Sequence, residues 1–245
     1  MKLICLGSSS SGNCYLLRNR QETLAIEAGV NFKEVKMAND WKVSNIVGCL
    51  ISHEHNDHAK FLNDFIKNGI NVFALNDVYL SKGITNKPFC NRVTPLKGFI
   101  VGGFKVLPIP VNHDVPCVAY AITHRDIGNL LFITDTMMFE YKIPHLDHIM
   151  IEANYSDDIL TYNIDNGIVP AGMRERLLHS HMEIKTTEGV LRSNDLSQTK
   201  EVILLHLSAN NSNAEEFLTE VSKVAGKPVY VAHRGLELDL SNESY

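Results

Sequence analysis

The stretch Ser52-His53-Glu54-His55-Asn56-Asp57-His58 holds three imidazoles and two carboxylates within seven residues. An apolar, strand-like run at residues 46–51 precedes it, and the apolar residues after it recur at helical spacing. The stretch is therefore predicted to form a loop between a buried strand and a helix, where side chains can converge. Imidazole and carboxylate together suit Zn²⁺, with Mn²⁺ or Fe²⁺ as substitutes. A lone histidine in a loop is usually just solvated, but the spacing H-x-H-x-D-H is specific and predicts a metal site.

The spacing also predicts that this loop serves two metal ions. In an extended segment, His53, His55 and Asp57 point the same way because the side-chain period of a strand is two. The turn into the helix then brings His58 round to a second position. We therefore expect two neighbouring divalent ions, Zn²⁺ or Mn²⁺, with ligands from this loop.

The composition is that of an ordinary globular protein, with 44% hydrophobic and 21% charged residues. No repeat or linker is evident, so we interpret residues 1–245 as one domain. Because no apolar run is long enough for a bilayer and the chain opens on a strand-like segment, we expect a cytoplasmic protein without a membrane partner. Five scattered cysteines indicate buried free thiols. The formal charge of -5 argues mildly against broad electrostatic binding of nucleic acid, and the oligomeric state stays open.

Strands and helices are predicted to alternate in two halves. The predicted strands are residues 2–6, 13–17, 23–27, 46–51, 71–75, 104–111, 117–123, 129–134, 148–153, 201–205 and 229–232. The predicted helices are 32–38, 57–68, 183–191 and 214–224, with 155–195 mainly helical and 83–103 irregular. His113, Asp135, His206 and His233 each follow a predicted strand. This pattern predicts a two-layered sheet covered by helices, with the strand ends opening on one edge.

A second polar loop, Gly7-Ser8-Ser9-Ser10-Ser11-Gly12-Asn13, lies between the first two predicted strands. Its glycines permit tight turns, and its hydroxyls and amides could bind an anion. Ser10, Ser11 and Asn13 are therefore candidate substrate contacts. The alternative is a plain hairpin loop, which the stretch taken alone fits better.

With these residues in hand, the chain resembles the metallo-β-lactamase fold superfamily over essentially its full length. The opening Gly-Ser-Ser-Ser-Ser-Gly-Asn and the closing His-Leu-Ser-x-Asn-Asn are similar to the YycJ-type (WalJ-like) branch, which is associated with exonuclease activity on DNA. The resemblance implies an α/β (α+β) fold, a four-layer αββα sandwich of two mixed β-sheets flanked by helices. It also implies a ligand set: His53, His55 and His113 for one metal, Asp57, His58 and His206 for the other, and Asp135 between them.

The resemblance implies roles for further residues, and the sequence departs from the family pattern at Glu27. Glu27 stands where the family usually has Asp, and it is expected to support the metal loop without binding metal. His233 competes with His206 for the last ligand position, and the His-Leu-Ser context favours His206. Ser208 and Asn210, in the closing motif, are expected to contact substrate.

The activity that the resemblance implies is hydrolysis. Two metals can lower the pKa of a shared water, giving a bridging hydroxide, and can stabilise charge on a phosphoryl or carbonyl oxygen. Asp57, as a monodentate ligand, would have a free oxygen that orients this water or accepts its proton. We expect a dinuclear-metal-dependent phosphodiesterase, most like a DNA exonuclease, that acts on nucleic acid or another phosphodiester.

Three other classes of protein are alternatives to this expectation. A thioester or lactam hydrolase of the same fold is the first. A redox di-iron protein is the second, but that branch has Glu at the position of His55. A non-catalytic metal-binding module is the third, and it would need an incomplete ligand set, whereas this set is complete.

His181, in Ser180-His181-Met182, is the remaining candidate. It resembles a Gly-His-Leu/Met-Ser element that precedes the final ligand in YycJ-like relatives. An imidazolium near its ordinary pKa can protonate or hold a departing alkoxide at neutral pH. We therefore predict a general acid; the alternative is a surface histidine, since His179 has no evident purpose two residues earlier.

Overall fold

Two seven-stranded β-sheets form the centre of the molecule, in a computed structural model that describes residues 1–85 and 87–242. Sheet 1 contains, in spatial order, β14 (Glu237–Asp239), β1 (Lys2–Gly7), β2 (Cys14–Arg18), β3 (Thr23–Ile26), β4 (Ile46–Leu50), β5 (Val72–Ala74) and β6 (Cys90–Arg92). Sheet 2 contains β13 (Val229–Val231), β12 (Glu201–Leu205), β11 (His148–Glu152), β10 (Gly128–Ile133), β9 (Cys117–His124), β8 (Phe104–Val111) and β7 (Phe99–Val101). Both sheets mix parallel and antiparallel pairs.

The helices lie on the outer faces of the sheets. They are α1 (Phe32–Ala38), α2 (Asn56–Ala59), α3 (Leu62–Lys67), α4 (Asn76–Ser81), α5 (Asp157–Asp165), α6 (Gly172–Ser180), α7 (Ile184–Ser193) and α8 (Ala214–Ala225), with a 3-10 turn at Val43–Asn45. The predicted class, two mixed sheets flanked by helices, is confirmed. Among the described residues, no helix combines the length and apolarity needed to cross a membrane.

The central strands β10, β11 and β12 of sheet 2 are buried on both faces, which is why they are almost continuously apolar. In β11, Met150 faces the core between the sheets, whereas Ile149 and Ile151 pack under the helices. Phe217 and Val221 of α8 fill this second core and are fully buried. Burying a side chain such as Phe217 contributes about 1.5–3 kcal/mol, so the helix is held mainly by packing.

Strand direction brings distant residues to one edge of the molecule. Strands β10, β11 and β12 are parallel neighbours, so their carboxyl ends lie side by side. Strand β8 runs the same way as β10, because both are antiparallel to β9. Strands β3 and β4 of sheet 1 are likewise parallel to each other. The residues that follow these ends carry the candidate site: Glu27, His53, His113, Asp135, Glu152 and His206.

Three local predictions are wrong. The predicted helix 57–68 is two helices, because the amide of Phe61 leaves the helical pattern and donates to the Ala28 carbonyl at 2.9 Å. The segment 83–103, expected to be irregular, contributes β6 and β7. Residues 53–57 are not extended throughout, since α2 begins at Asn56 and places Asp57 in its first turn. Asp57 therefore accompanies His58 rather than His53 and His55.

Candidate metal centre

Side chains at this edge form three groups, of which the second and third share Asp135 and His206, and within each group the potential ligand atoms lie within 4.8 Å of one another. The groups are His53, His55 and His113; Asp57, His58, Asp135 and His206; and Asp135, Glu152, His181 and His206. The structure therefore brings together all of the predicted metal ligands. The rival His233 is exposed and belongs to none of these groups, and its Nδ1 lies 3.1 Å from the carbonyl oxygen of Arg234.

The first group presents lone pairs suited to a cation. His113 Nδ1 lies 2.7 Å from the Ser180 carbonyl, which only accepts, so this nitrogen donates and Nε2 keeps its lone pair. His53 Nδ1 contacts Ser52 Oγ at 2.8 Å, and its Nε2 is buried with no hydrogen-bond partner among the described residues. Burial, followed by the nearby His58, lowers the pKa of His53 well below its usual value. A neutral imidazole with a buried, unpartnered nitrogen fits a metal ligand.

The second group already pairs charges of opposite sign. His206 Nε2 lies 3.1 Å and His58 Nε2 3.3 Å from Asp57 Oδ2. Burial alone would raise the pKa of Asp57, but hydrogen bonds to His206 and His58 hold it below its usual range. Burial disfavours a charged His58, yet Asp135 and Glu27 raise its pKa well above the usual value. Since the protonated ring supplies the positive charge that these carboxylates need, a divalent cation can take its place.

Asp135 lies between the two groups. Its Oδ1 is 3.4 Å from His58 Nε2, and its Oδ2 is 3.9 Å from His53 Nε2 and 4.0 Å from His206 Nε2. Thr134 Oγ1 donates to Asp135 Oδ1 at 2.5 Å and fixes the carboxylate. Burial works against a charged Asp135, but His206 and His58 lower its pKa well below the usual value. A charged carboxylate that faces both groups is placed as a bridging ligand would be.

Three residues at strand ends have left-handed backbone conformations. The φ angles are 67° for Glu27, 41° for Asp135 and 53° for His206. Residues with a Cβ rarely adopt this region, and each such residue costs about 1–3 kcal/mol. Strain of this kind concentrates at functional sites, because the fold holds a side chain where the unstrained backbone would not put it.

Glu27 supports the metal loop from behind. Its buried carboxylate accepts a hydrogen bond from the Ser52 amide at 3.2 Å, and its Oε1 lies 3.6 Å from His58 Nδ1. Burial raises the pKa of Glu27, an effect that His58 opposes. This contact would orient His58 with its Nε2 toward the second group. Its role as a supporting residue stays a prediction.

Glu152 was not predicted as a site residue, yet it lies at the centre of the third group. Its Oε1 is 2.6 Å from His181 Nδ1 and 3.6 Å from His206 Nδ1. Its Oε2 accepts hydrogen bonds from the amides of Thr136 at 3.2 Å and Met182 at 3.1 Å. Burial opposes charging of His181, but Glu152 raises its pKa to about 9. The only signal in the sequence was a carboxylate that ends a strand.

Asp114 is a second site residue that sequence reasoning missed. Its Oδ1 lies 3.0 Å from His113 Nε2 and 3.4 Å from His55 Nε2. About half of its side chain, 48%, is exposed, so this carboxylate borders the first group on the solvent side. Only its position next to His113 could have indicated it.

The predicted substrate residues of the serine loop do not share one environment. Ser10 and Ser11 are exposed, so they are accessible to a ligand. Asn13 is buried, and its Nδ2 lies 3.0 Å from His58 Nε2 and 3.4 Å from Asp57 Oδ2. Asn13 is therefore placed to hold the metal loop rather than to meet a ligand from solvent.

The other two predicted substrate contacts, Ser208 and Asn210, take part in a turn after β12. Ser208 Oγ accepts from the Asn211 amide at 3.3 Å, and the Asn210 carbonyl accepts from Asn163 Nδ2 at 2.7 Å. The Asn210 residue is exposed and Ser208 is half-buried. These contacts hold the turn that follows His206, and a role in substrate binding stays a prediction.

The fold and the site match a known family. The model of the metallo-beta-lactamase superfamily matches residues 9–140, which is more than half of the 245-residue chain. The chain therefore belongs to the metallo-beta-lactamase superfamily. The matched region includes the loop 52–58, His113 and Asp135, and it ends before Glu152 and His206.

Individual relatives point to one branch. The chain is 25% identical over 239 residues to exodeoxyribonuclease YycJ of Bacillus anthracis, with 89% of this chain and 87% of the relative covered. It is 25% identical over 244 residues to exodeoxyribonuclease WalJ of Streptococcus pneumoniae, with 91% and 88% covered. The metallo-beta-lactamase fold protein YhfI of Bacillus subtilis has a TM-score of 0.72 at 15% identity, covering 97% of this chain and 98% of that chain, which shows the fold alone. The predicted resemblance to the superfamily and to the YycJ-type branch is confirmed.

Membership of this superfamily implies a metal-dependent hydrolase that binds divalent metal. The clustered His and Asp side chains fit that requirement through their chemistry and through the buried, unpartnered Nε2 of His53. The predicted divalent metal binding is thus supported at the level of the family.

Proposed function

We propose that the protein is a dinuclear-metal phosphodiesterase, most like a DNA exonuclease. The observation that carries the proposal is the arrangement of two adjoining ligand groups around Asp135, with the His181–Glu152 pair directly beside them. Two adjacent divalent ions clamp the attacking and leaving oxygens of a phosphoryl transfer. The exodeoxyribonuclease relatives support the same activity.

The proposed ligands follow from the groups described above. His53, His55 and His113 would hold one ion, Asp57, His58 and His206 the other, and Asp135 both. When bound, the ions supply an activated water and a positive field for the charge that develops on the phosphoryl oxygens. Oxygen and nitrogen ligands without sulfur are compatible with Zn²⁺ and with Mn²⁺, and we propose one of these.

Asp57 and His181 have the proton-transfer roles in this proposal. Asp57 Oδ2 contacts two imidazoles, and its side chain is still 20% exposed, so the carboxylate can reach a water in the cleft. We propose that Asp57 orients that water and accepts its proton. His181, held by Glu152 through Nδ1, presents its Nε2 to the leaving oxygen and donates a proton there.

The alternative is a thioester or lactam hydrolase of the same fold. A departing thiolate needs no proton, because a thiol is far more acidic than an alcohol. Glu152, 2.6 Å from His181 Nδ1, raises the pKa of His181 and so favours the protonated imidazole that a departing alkoxide requires and a thiolate does not. This pair therefore argues against a thioester and favours a leaving group that must be protonated, such as the alcohol oxygen of a nucleic-acid phosphodiester.

Cleavage of defined substrates tests the proposal. Labelled single- and double-stranded DNA and RNA with 5′-phosphate or 5′-hydroxyl ends, and bis-p-nitrophenyl phosphate, are incubated with Zn²⁺ or Mn²⁺. We expect hydrolysis that a chelator and His55→Ala abolish. Turnover of thioesters or lactams without any phosphodiester cleavage would instead support the alternative.

Two further expectations remain proposals of the same kind. We propose that residues 1–245 form one domain, because the two sheets share one core and one site draws on both. We also propose a cytoplasmic protein with a nucleic-acid substrate, in line with the nuclease relatives and the buried free thiols of Cys5, Cys14 and Cys49. Fractionation of cells that contain the tagged protein tests the location.

A further inference from the structure

Two clefts of opposite charge open near the candidate metal centre. One, the serine-loop groove, has a volume of about 520 Å³, and its lining includes Ser8, Ser9, Ser11 and Gly12 together with Glu34, Lys60, Phe61, His233 and Arg234. The other, the acidic cleft, has a volume of about 430 Å³ and includes His181. Its wall carries five carboxylates, those of Asp157, Asp158, Glu183, Glu216 and Glu220.

The serine-loop groove lies at the same edge of the sheets as the ligands. Strand β1, which ends at Gly7, runs parallel to β3, and β13, which leads to His233, runs parallel to β12. Strands β3 and β12 lead to Glu27 and His206 at the candidate metal centre. The groove is therefore a flank of that centre.

Close backbone contacts join the groove wall to the metal loop. A Cβ on Gly29 would come within 1.7 Å of the Asp57 carbonyl, and one on Gly12 within 2.6 Å of the Gly29 carbonyl. Ser8 Oγ also accepts a hydrogen bond from the His206 amide at 3.0 Å. Only one layer of backbone therefore separates the groove from two proposed ligands.

The cations of this groove are available to an anion. Lys60 is exposed and forms no ion pair with any residue that the structure describes. Arg234 Nη2 pairs with Glu34 Oε2 at 2.7 Å, but 73% of the Arg234 side chain is exposed, and such surface pairs are weak. Phosphate can therefore compete for this guanidinium, and guanidinium binds phosphate through parallel hydrogen bonds.

The acidic cleft offers the opposite environment. Its lysine, Lys185, is already bonded to Glu220 at 2.8 Å and to Glu188 at 3.3 Å. Lys185 and Arg174, which pairs with Asp157, offset part of the charge of the five carboxylates, and the cleft keeps a net negative charge that repels a polyanion. A chain of phosphates that reaches the metal centre is therefore favoured on the side of Lys60 and Arg234 and disfavoured on the side of His181.

We propose that the serine-loop groove binds the phosphate backbone of a nucleic-acid strand next to the scissile bond, with Lys60 and Arg234 as the phosphate contacts. This inference rests on the proposed function and names where its substrate lies. His233 then lies in the wall of the groove, and His206 is the proposed metal ligand.

Binding of a fluorescent oligodeoxynucleotide, followed by anisotropy in the presence of a chelator, tests the groove without turnover. We expect the double variant Lys60→Gln and Arg234→Gln to raise Kd by about tenfold. The slope of log Kd against log salt should become shallower by about 0.7 for each phosphate of a single strand that the variant no longer neutralises. Lys105→Gln is the matched control: Lys105 is exposed at the start of β8, the end opposite to His113, and this variant should bind like the wild type.

Glu34→Gln gives a test of opposite sign. It removes the partner of Arg234 and should lower Kd by about two- to threefold, which damage to the fold would not do. A double variant that binds like Lys105→Gln, or a wild-type protein that does not bind the oligonucleotide, overturns the proposal.

Hydrolysis of bis-p-nitrophenyl phosphate by the wild type separates this inference from the proposed function. If the small diester is cleaved and the groove variants bind DNA normally, the groove proposal fails and the function stands. If no diester is cleaved although the variants bind DNA more weakly, the function fails and the groove stands.

Discussion

The two halves of the candidate metal centre are built in different ways. The half that sheet 1 supplies comes from one loop, in which His53, His55, Asp57 and His58 follow strand β4. The half that sheet 2 supplies takes Asp135, Glu152 and His206 from the adjacent ends of three parallel strands, and adds His113 after β8 and His181 after α6. The positions of the ligands in the first half follow from their spacing along the chain. Those in the second half depend mainly on how the strands pair. The comparison teaches that a short motif can locate a site while leaving half of its chemistry unspecified.

Asp135→Ala should have the largest effect, because this carboxylate follows a strand of sheet 2 and also lies 3.4 Å from His58 Nε2 and 3.9 Å from His53 Nε2 of the loop. We expect it to lose more metal than a change at any other single ligand, since neither group keeps its full set of donors. Elemental analysis after dialysis against buffered Zn²⁺ gives the metal content per chain.

Asp114→Ala is the matched control for Asp135→Ala. This carboxylate contacts only His55 and His113 of the first group and is half exposed. We therefore expect Asp114→Ala to lose less metal than Asp135→Ala. Full metal content in Asp135→Ala would show that the two halves are joined by another residue.

His181→Ala should have the second-largest effect, and it changes only the half of the site that sheet 2 supplies. We expect the variant to keep its metal but to lose about two to four orders of magnitude in kcat on an oligonucleotide, the scale of general acid catalysis. The loss should shrink on a nitrophenyl diester, because that leaving group needs no proton. Steady-state kinetics on both substrates provide the measurement.

His179→Ala supplies the control for His181, since His179 is exposed on α6, two residues before His181, and lies outside the three ligand groups. It should behave like the wild type on both substrates. Equal losses for His181→Ala on the two substrates, or no loss on either, would remove His181 from the mechanism.

Glu152→Gln should have a smaller effect on the same half. Glutamine keeps the shape of the side chain but loses the charge that raises the pKa of His181 to about 9. The protonated form of His181 should therefore be lost at lower pH, and the alkaline limb of the kcat profile should move down. Metal affinity should also fall by about 10- to 100-fold, because Glu152 lies beside His206. An unchanged pH profile would show that Glu152 does not control the protonation of His181 during turnover.

Ser11→Ala should show the smallest effect of the series. Ser11 lines the serine-loop groove, whereas its exposed neighbour Ser10 does not contribute to that wall. We expect KM for an oligonucleotide to rise by about two- to threefold with Ser11→Ala, the scale of one weak hydrogen bond, and to stay constant with Ser10→Ala. Identical KM values for both variants would indicate that this loop is a plain hairpin that does not contact the substrate.

Much of the fold could be predicted because its strands are apolar runs that are interrupted by polar loops. The spacing in residues 52–58 and the residues after β8, β10 and β12 also indicate ligands from the sequence alone. The break between α2 and α3 could not be predicted, because it depends on a hydrogen bond from Phe61 to Ala28, far away in the sequence.

The contacts of the candidate site were harder to predict than its residues. Glu152 ends a strand like several other residues. The parallel register of β11 and β12 gives it His206 as a neighbour, and hydrogen bonds of Met182 with Glu152 and Asn154 bring His181 beside it. The left-handed backbone at Glu27, Asp135 and His206 has no sequence signature, since these residue types do not favour it as glycine does. Asn13 looked like a free amide in a polar loop, but folding buries it against the metal loop.

Titration of the chelator-treated protein with Zn²⁺ or Mn²⁺, with hydrolysis of bis-p-nitrophenyl phosphate followed at each step, tests the central claim most directly. Two ion sites joined by Asp135 predict that two equivalents bind and that full activity appears only as the second equivalent binds. Full activity at one equivalent, or two bound ions without any diester hydrolysis, would contradict a dinuclear phosphodiesterase.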